Sequence, residues 1–189
     1  IILILALFAF LSASAGGLLY YYSYRQAAFQ KTEADAYSRL NLLTDQLSFY
    51  LSEHIKPVKT LSGIKELTTV LKDTNLESIY KANQILDNFT KSLDLEVSYL
   101  MDKNGITLCS SNRNAKDSFV GKDFSFRPYY KKAINGMPAT YLALGTTSKK
   151  RGVYYSHPVY DEPRHNALGI VVIKASVEFV EAKLFPKSD

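Results

Sequence analysis

The stretch SFVGKDFSFRPYYKKAINGMPATYLALGTTSKKRGVYYSHPV occupies residues 118–159, and the rest of the predicted fold is arranged around it. It places Arg127 in an aromatic setting made by Phe124, Phe126, Tyr129 and Tyr130. A hydroxyl-rich turn at 146–148 and a second tyrosine pair at 154–155 follow. A guanidinium offers a planar fork of donors to a carboxylate, and aromatic walls that exclude water strengthen that pairing. The stretch therefore predicts a pocket for a small anion.

Short strands surround this stretch on both sides. Residues 97–101 alternate with a period of two, and the sequence DKNG at 102–105 is a hairpin signal that leads into a returning strand at 106–110. Pro128 favours a short helix over 126–133. Three further strands are predicted at 141–145, 153–160 and 167–177. Because helices come first and five short strands follow, we expect an α+β domain with a central antiparallel sheet.

The N-terminal segment, residues 1–24, contains no charged residue. About 20 apolar helical residues span a bilayer core, and the four tyrosines at 20–22 and 24 are typical of an interfacial belt. The alternative is a cleaved signal peptide, with Ala13-Ser14-Ala15 as the cleavage site. We expect a transmembrane helix over 1–24, since the apolar run continues past that site. Both a transmembrane helix and a signal peptide would direct the rest of the chain across a membrane.

Helical periodicity continues from residue 26 to about 52, and no Pro or Gly separates it from the apolar segment. We therefore expect one long N-terminal helix, continuous with the transmembrane helix. Pro57 interrupts the pattern, and further helices are predicted over 59–71 and 77–93. The expected organisation is the long signalling helix and a helical layer over 25–95 and the ligand-binding sheet over 96–184. The chain reads as a fragment, and 185–189 would begin a membrane-proximal region.

Composition and missing motifs exclude several function classes. The net charge is +5, but Lys and Arg are scattered and form a run only at 149–151, so we expect no nucleic-acid partner. Cys109 is the only cysteine, which excludes an intramolecular disulfide, and the three histidines are scattered. The chain has no G-x-S-x-G, H-E-x-x-H or P-loop motif. We expect no catalytic residue, no metal site and no cofactor in this stretch.

The last strand contains one anomaly, because Lys174 interrupts the apolar sequence GIVVIKAS at 169–176. Strand alternation puts Lys174 on the same face as Val172 and Ser176. A lysine in the middle of a strand usually lies on a solvated face. The alternative is a lysine that binds an anion and faces Arg127 across the sheet.

Five segments of the chain, taken in order, carry a resemblance to a known family. They are YLMDKNGITLCSSN at 99–112, SFVGKDFSFRPYY at 118–130, LALGTTSKKRG at 142–152, YYSHPV at 154–159 and GIVVIKAS at 169–176. Together they resemble the extracytoplasmic sensor domain of C4-dicarboxylate sensor histidine kinases of the DctB type. That group belongs to the double Cache sensors, which have a PAS-like fold. The resemblance covers roughly half of the chain, and the preceding apolar segment and long helix are similar to the layout of the family.

The resemblance implies a ligand pocket in a PAS-like Cache domain. An arginine would bind one carboxylate, two tyrosines would line and close the site, hydroxyls would bond ligand oxygens, and a lysine would take a second carboxylate. No Asp follows Lys174, which argues against an amino-acid ligand, whereas the family's aromatic residues at Val153 and near Arg113 are missing. The residues implied for the site are Arg127, Tyr129, Tyr130, Thr147, Ser148, Ser156 and Lys174.

The expected function is the ligand-sensing module of a transmembrane signalling receptor, a two-component sensor histidine kinase that binds a small carboxylate such as a C4-dicarboxylate. The alternatives are a Cache sensor of a diguanylate cyclase or chemoreceptor, and an exported protein with no small-molecule ligand. The expected partners are the ligand, the membrane and a second copy, joined in a homodimer through the long N-terminal helix. The expected location is the bacterial inner membrane, with the globular part periplasmic.

Overall fold

Helices occupy the first half of the chain and strands most of the second half. The structure, a computed structural model, describes residues 1–161 and 166–184. The chain divides into two compact units, Ile1–Gln46 and Leu47–Asp189. The described helices are α1 (Ile2–Ser52), α2 (Ile55–Ser62), α3 (Lys65–Lys72), α4 (Leu76–Ser92), α5 (Pro128–Ile134) and α6 (Val177–Leu184).

The strands form one five-stranded antiparallel sheet in the order β2-β1-β5-β4-β3. Their bounds are β1 (Val97–Asp102), β2 (Thr107–Ser110), β3 (Ala139–Leu144), β4 (Arg151–Tyr160) and β5 (Ala167–Ser176). Strand β5 is therefore central, and Lys174 on it pairs with Val97 of β1 and with Tyr154 of β4. The predicted α+β class, the five-stranded antiparallel sheet and the long N-terminal helix are confirmed.

The sheet separates two cores, because successive side chains of a strand point to opposite faces. Val171 and Ile173 of β5 pack with apolar residues of α2, α3 and α4. Val172, between them, belongs to the other core, which is rich in aromatic rings. This second core contains Tyr99, Phe119, Phe124, Tyr129 and Tyr154 and holds the candidate site.

Helix α1 contains a segment near the N-terminus that is long and apolar enough to cross a membrane. None of that segment is buried inside the structure, which distinguishes it from the core helix of a soluble protein. The divisions at residues 24 and 95 follow the apolar segment and the start of the sheet, and they stay predictions. The predicted membrane-proximal start at 185–189 lies outside the described residues.

The single helix predicted over 59–71 is wrong, because two helices, α2 and α3, cover this range. Gly63 ends α2, and Ile64 adopts an extended conformation (φ −77°, ψ 126°) before α3 begins. The break lets the helices bury different side chains, Leu61 from α2 and Leu67 from α3, both 0% exposed. The periodicity of apolar residues in the sequence cannot reveal this break, because the two helices continue the same apolar spacing.

Two further boundaries differ from those predicted. The short helix α5 begins at Pro128 rather than at residue 126, because Arg127 is extended and serves as the N-cap. Helix α6 was not predicted, and it begins at Val177, directly after β5 ends at Ser176.

Cys109 is buried as predicted, and burial raises the pKa of its thiol to about 11, which fits an unreactive structural cysteine.

Candidate functional site

Arg127 lies at the entrance to helix α5 with its side chain buried. The residue is only 8% exposed, and its Nη2 donates a hydrogen bond to the carbonyl oxygen of Leu144 at 3.0 Å. Its Nε is also buried, yet it has no hydrogen-bond partner among the residues that the structure describes. Buried donors are nearly always paired in folded proteins, so an unpaired one needs an explanation. An anionic ligand would supply the missing acceptor.

Aromatic rings surround the guanidinium. The Cζ atom of Arg127 lies 5.5 Å from the ring centroid of Tyr154, 5.8 Å from that of Phe126 and 6.0 Å from that of Tyr129. The rings of Tyr129 and Tyr154 are stacked, with centroids 5.2 Å apart and an interplanar angle of 6°. Cations are attracted to aromatic faces at such distances. The stack therefore holds the arginine in place while it lowers the polarity around it.

The tyrosine hydroxyls of this cluster stay protonated. Burial raises the pKa of Tyr154 to about 12, although the charge of Arg127 acts in the opposite direction. Burial likewise raises the pKa of Tyr99 well above its usual value, and the hydroxyls of Tyr99 and Tyr129 lie 2.7 Å apart. At neutral pH these phenols act as neutral hydrogen-bonding groups, so the positive charge of Arg127 is not compensated by a phenolate.

Lys174 is completely buried, at 0% exposure, in the middle of the central strand. Its Nζ donates to Glu96 Oε1 at 2.5 Å and to Ser148 Oγ at 2.9 Å, and it lies 5.8 Å from the ring centroid of Tyr154. The preference for a solvated face, taken from the strand pattern, is wrong here. Strand β5 is covered on both faces, and the lysine stem fills the space above Gly152, where a Cβ would lie 2.5 Å from Lys174 Cε.

Glu96 is a site residue that sequence reasoning missed. It directly precedes β1, and its backbone N donates to the carbonyl of Lys174 at 2.9 Å. Its Oε1 accepts from Lys174, whereas its Oε2 is buried without a partner among the described residues. The two residues are 78 positions apart in sequence. Only the pairing of β1 with β5 brings them together, and no local pattern could have indicated that contact.

Five of the seven predicted site residues are brought together. Gly145, Thr146 and Thr147 line a small cavity together with Arg127, Tyr129 and Tyr154, and Ser148 holds Lys174. The cavity volume is about 10 Å³. Such a volume is about that needed for one water molecule, so a carboxylate ligand would have to open the site. The predicted residues that converge here are Arg127, Tyr129, Thr147, Ser148 and Lys174.

The other two predicted residues have different contacts. The hydroxyl of Tyr130 donates to the carbonyl of Lys103 at 2.6 Å, and Ser156 Oγ donates to the carbonyl of Tyr129 at 3.1 Å. Neither lines the cavity at Arg127. Both hydroxyls hold the aromatic core together in this structure, and their direct contact with a ligand stays a prediction.

Larger cavities lie outside this cluster and lack buried cations. The cavity of about 390 Å³ between α2, α3 and β4 is lined by Lys59, Lys65 and Lys72, all of which are exposed. Within residues 1–161 and 166–184, no group of three or more His, Cys, Asp or Glu could hold a metal ion. The small cavity is lined by the buried Arg127, and the ring of Tyr154 in its wall also contacts the buried Lys174, which makes it the stronger candidate for a ligand site.

Curated proteins with similar sequences are sensor proteins. The chain is 32% identical over 164 residues to the C4-dicarboxylate transport sensor protein DctB of Pseudomonas aeruginosa, an alignment that covers 86% of this chain and 26% of the relative. It is 36% identical over 105 residues to the protein of the same name from Rhizobium meliloti, covering 56% and 17%. The chain thus spans about a quarter or less of these relatives. No protein-family model matches it.

Solved structures of sensor domains have a similar fold. The sensor domain of the Vibrio cholerae histidine kinase DctB has a TM-score of 0.78 and 31% identity, with 85% of this chain and 62% of that chain covered. The ligand-binding domain of the Campylobacter jejuni chemoreceptor Tlp3, solved with 4-methylisoleucine, has a TM-score of 0.64 and 18% identity, covering 80% and 61%. At that identity the second match supports the fold alone.

Proposed function

Since this chain carries a sensor domain of the DctB type, we propose that it is the ligand-sensing module of a transmembrane sensor histidine kinase and binds a small carboxylate, with C4-dicarboxylates as the first candidates. One observation carries the proposal. Two buried cations, Arg127 and Lys174, both lie against the ring of Tyr154, and the Nε donor of Arg127 has no acceptor among the described residues. A ligand carboxylate is the group that this donor lacks.

The proposed binding mode assigns one carboxylate to Arg127. Its Nη2 donates to the carbonyl of Leu144, whereas its buried Nε has no acceptor among the described residues, so Nε is the donor that would bind a carboxylate oxygen. The stacked rings of Tyr129 and Tyr154 exclude water from this pair. A second acidic group of the ligand would approach Lys174, with the hydroxyls of Thr147 and Ser148 beside it. Loss of the first carboxylate would leave the buried guanidinium without an anion, which discriminates against ligands that lack this group.

Binding of a ligand carboxylate to Arg127 in this mode requires a conformational change. The cavity beside Arg127 has a volume of only about 10 Å³, so the closed arrangement has no room for a four-carbon acid. A ligand that binds only an open arrangement shifts the population toward it. This coupling between occupancy and conformation is the property that a sensor domain needs, and we propose that it produces the signal.

The wider assignment draws on the relatives. Two curated relatives are named C4-dicarboxylate transport sensor proteins, and one solved relative is the sensor domain of a histidine kinase. The candidate membrane-crossing segment in α1 supports a protein of the bacterial inner membrane with this sensor domain on the periplasmic side. A homodimer through α1 belongs to the same proposal. A chemoreceptor output is the second candidate, because chemoreceptor domains have the same fold.

A thermal-shift series on the whole chain in detergent tests the ligand and the site together. Succinate, fumarate and L-malate are each added at increasing concentration. A ligand present at 100 times its Kd stabilises by about 2.7 kcal/mol, which raises the Tm by roughly 5 °C or more. We expect at least one of these acids to do so, and we expect Arg127→Gln to lose the shift because the first carboxylate then has no cation to bind.

Lys132→Gln is the matched control for this series. Lys132 is an exposed residue of α5, and its substitution removes the same charge five residues from Arg127 without touching the cavity. It should keep the ligand-induced shift. If no acid stabilises the unsubstituted chain, the carboxylate ligand is wrong. If an acid stabilises the Arg127→Gln chain as strongly as the unsubstituted one, the site is wrong.

A further inference from the structure

The second carboxylate oxygen of Glu96 lacks a hydrogen-bond donor, whereas Nε of Arg127 lacks an acceptor. Glu96 Oε2 is a buried acceptor and Arg127 Nε a buried donor, and neither has a partner among the described residues. A buried polar group without a partner costs free energy, most of all when it is charged. A molecule that satisfies both groups must therefore carry an acceptor, such as a carboxylate, and also a hydrogen-bond donor.

These two groups lie around the same aromatic ring. Arg127 Cζ is 5.5 Å and Lys174 Nζ is 5.8 Å from the ring centroid of Tyr154, and Glu96 Oε1 is 2.5 Å from Lys174 Nζ. The charges of both Arg127 and Glu96 act on the pKa of the Tyr154 hydroxyl, in opposite directions. One small molecule seated against this ring would therefore be close to both the arginine and the lysine–glutamate pair.

The charge of the cluster points to the same kind of ligand. Two cations and one carboxylate give the cluster a net charge of +1, so a plain dicarboxylate would leave one negative charge uncompensated in a buried site. Uncompensated buried charge is strongly unfavourable. An acid that carries an ammonium beside its carboxylates has a net charge of −1 and neutralises the cluster. A hydroxy acid supplies the donor for Glu96 but not the compensating charge.

We infer that Glu96 determines the specificity of this site, and that the site prefers short acids with an ammonium or hydroxyl group on the carbon chain over plain diacids. The inference rests on the proposed carboxylate-sensing function and narrows its ligand class. The lack of an Asp after Lys174 argued against an amino group in the ligand. The structure supplies the carboxylate from another strand, since Glu96 directly precedes β1 and reaches Lys174 of β5.

Calorimetric titration of the whole chain in detergent with three acids of equal carbon length tests this. Succinate has no donor, L-malate has a hydroxyl and L-aspartate has an ammonium. Because hydrogen bonds to a charged group are the stronger ones, we expect L-aspartate to bind about tenfold or more tighter than succinate, with L-malate between them. This order in the unsubstituted chain is informative without any variant.

Glu96→Gln provides the second arm of the test. The amide keeps an oxygen that can accept from Lys174. The net charge of the cluster becomes more positive by one, however, and the carboxylate oxygen that would accept from a ligand ammonium is lost. We expect the order to reverse, with succinate binding more tightly than L-aspartate. Glu66→Gln, which removes an exposed carboxylate of α3, should keep the original order.

The outcomes separate this inference from the function on which it rests. If succinate binds the unsubstituted chain as tightly as L-aspartate, and Glu96→Gln leaves their ratio unchanged, the role of Glu96 is overturned while the carboxylate sensor stands. If none of the three acids binds the unsubstituted chain, the proposed function itself fails, and the inference fails with it.

Discussion

Replacing Glu96 by Ala is expected to lower the free energy of unfolding by about 3–5 kcal/mol, because it strands a buried ammonium. Lys174 is 0% exposed, and its Nζ donates to Glu96 Oε1 at 2.5 Å and to Ser148 Oγ at 2.9 Å. Removing the carboxylate leaves a serine hydroxyl to compensate a full charge. Urea unfolding followed by circular dichroism measures the loss.

A second substitution separates the stranded charge from the lost packing. Adding Lys174→Met to the Glu96→Ala chain removes the ammonium while an unbranched apolar stem still fills the space above Gly152. The double variant should recover part of the lost stability, since replacing both partners of a buried pair is far less costly than removing one. Glu77→Ala is the control, because Glu77 pairs with Lys81 in solvent. If Glu96→Ala costs no more than Glu77→Ala, the buried pair contributes nothing.

Replacing Gly169 by Ala is expected to cost about 3 kcal/mol or more, at the upper end of what overpacking does. Gly169 pairs with Asp102 of β1 and with Val159 of β4. An added Cβ would overlap the carbonyl oxygen of Met101 and lie 2.8 Å from Leu71 Cδ2. A backbone atom of the neighbouring strand cannot move aside without disturbing the ladder between β1 and β5. The measurement is the same urea unfolding series.

Gly63→Ala is the matched control for that substitution. The Cβ at Gly63 would meet only the carbonyl oxygen of Thr60, at 3.6 Å, which is an ordinary contact. Its φ of −88° suits any residue, so alanine should be neutral or slightly stabilising, because it lowers the conformational entropy of the unfolded chain. Equal losses for the two glycines would contradict the close approach of β1, β5 and α3 at Gly169.

The fold was largely predictable because its elements are specified locally. The alternation at 97–101, the apolar run before Lys174 and the helical spacing at 77–93 each indicate one element, and the structure places β1, β5 and α4 there. The split between α2 and α3 was not predictable from periodicity. It depends on how Leu61 and Leu67 reach the same core, which is a property of the packed layer rather than of either segment.

The site was predictable only in part, because its contacts are between distant segments. Arg127 was indicated by its own aromatic neighbours in sequence, and its buried position among rings agrees with that reading. Lys174 needed the family resemblance, since a strand pattern cannot tell which faces of the sheet are covered. Glu96 had no signal at all, because its partner is 78 residues away.

The proposed sensing function requires a ligand carboxylate that binds Arg127. Proton–nitrogen NMR of the arginine Nε–H groups, in the whole chain in detergent, observes that contact. The Arg127 signal is assigned from its loss in Arg127→Gln. We expect this signal to shift in a saturable way as the tightest-binding acid is added. The signal of Arg113, which Asp87 already holds at 2.7 Å, should stay in place. An Arg127 signal that does not move when calorimetry shows the chain to be saturated would overturn the binding of the ligand carboxylate to Arg127.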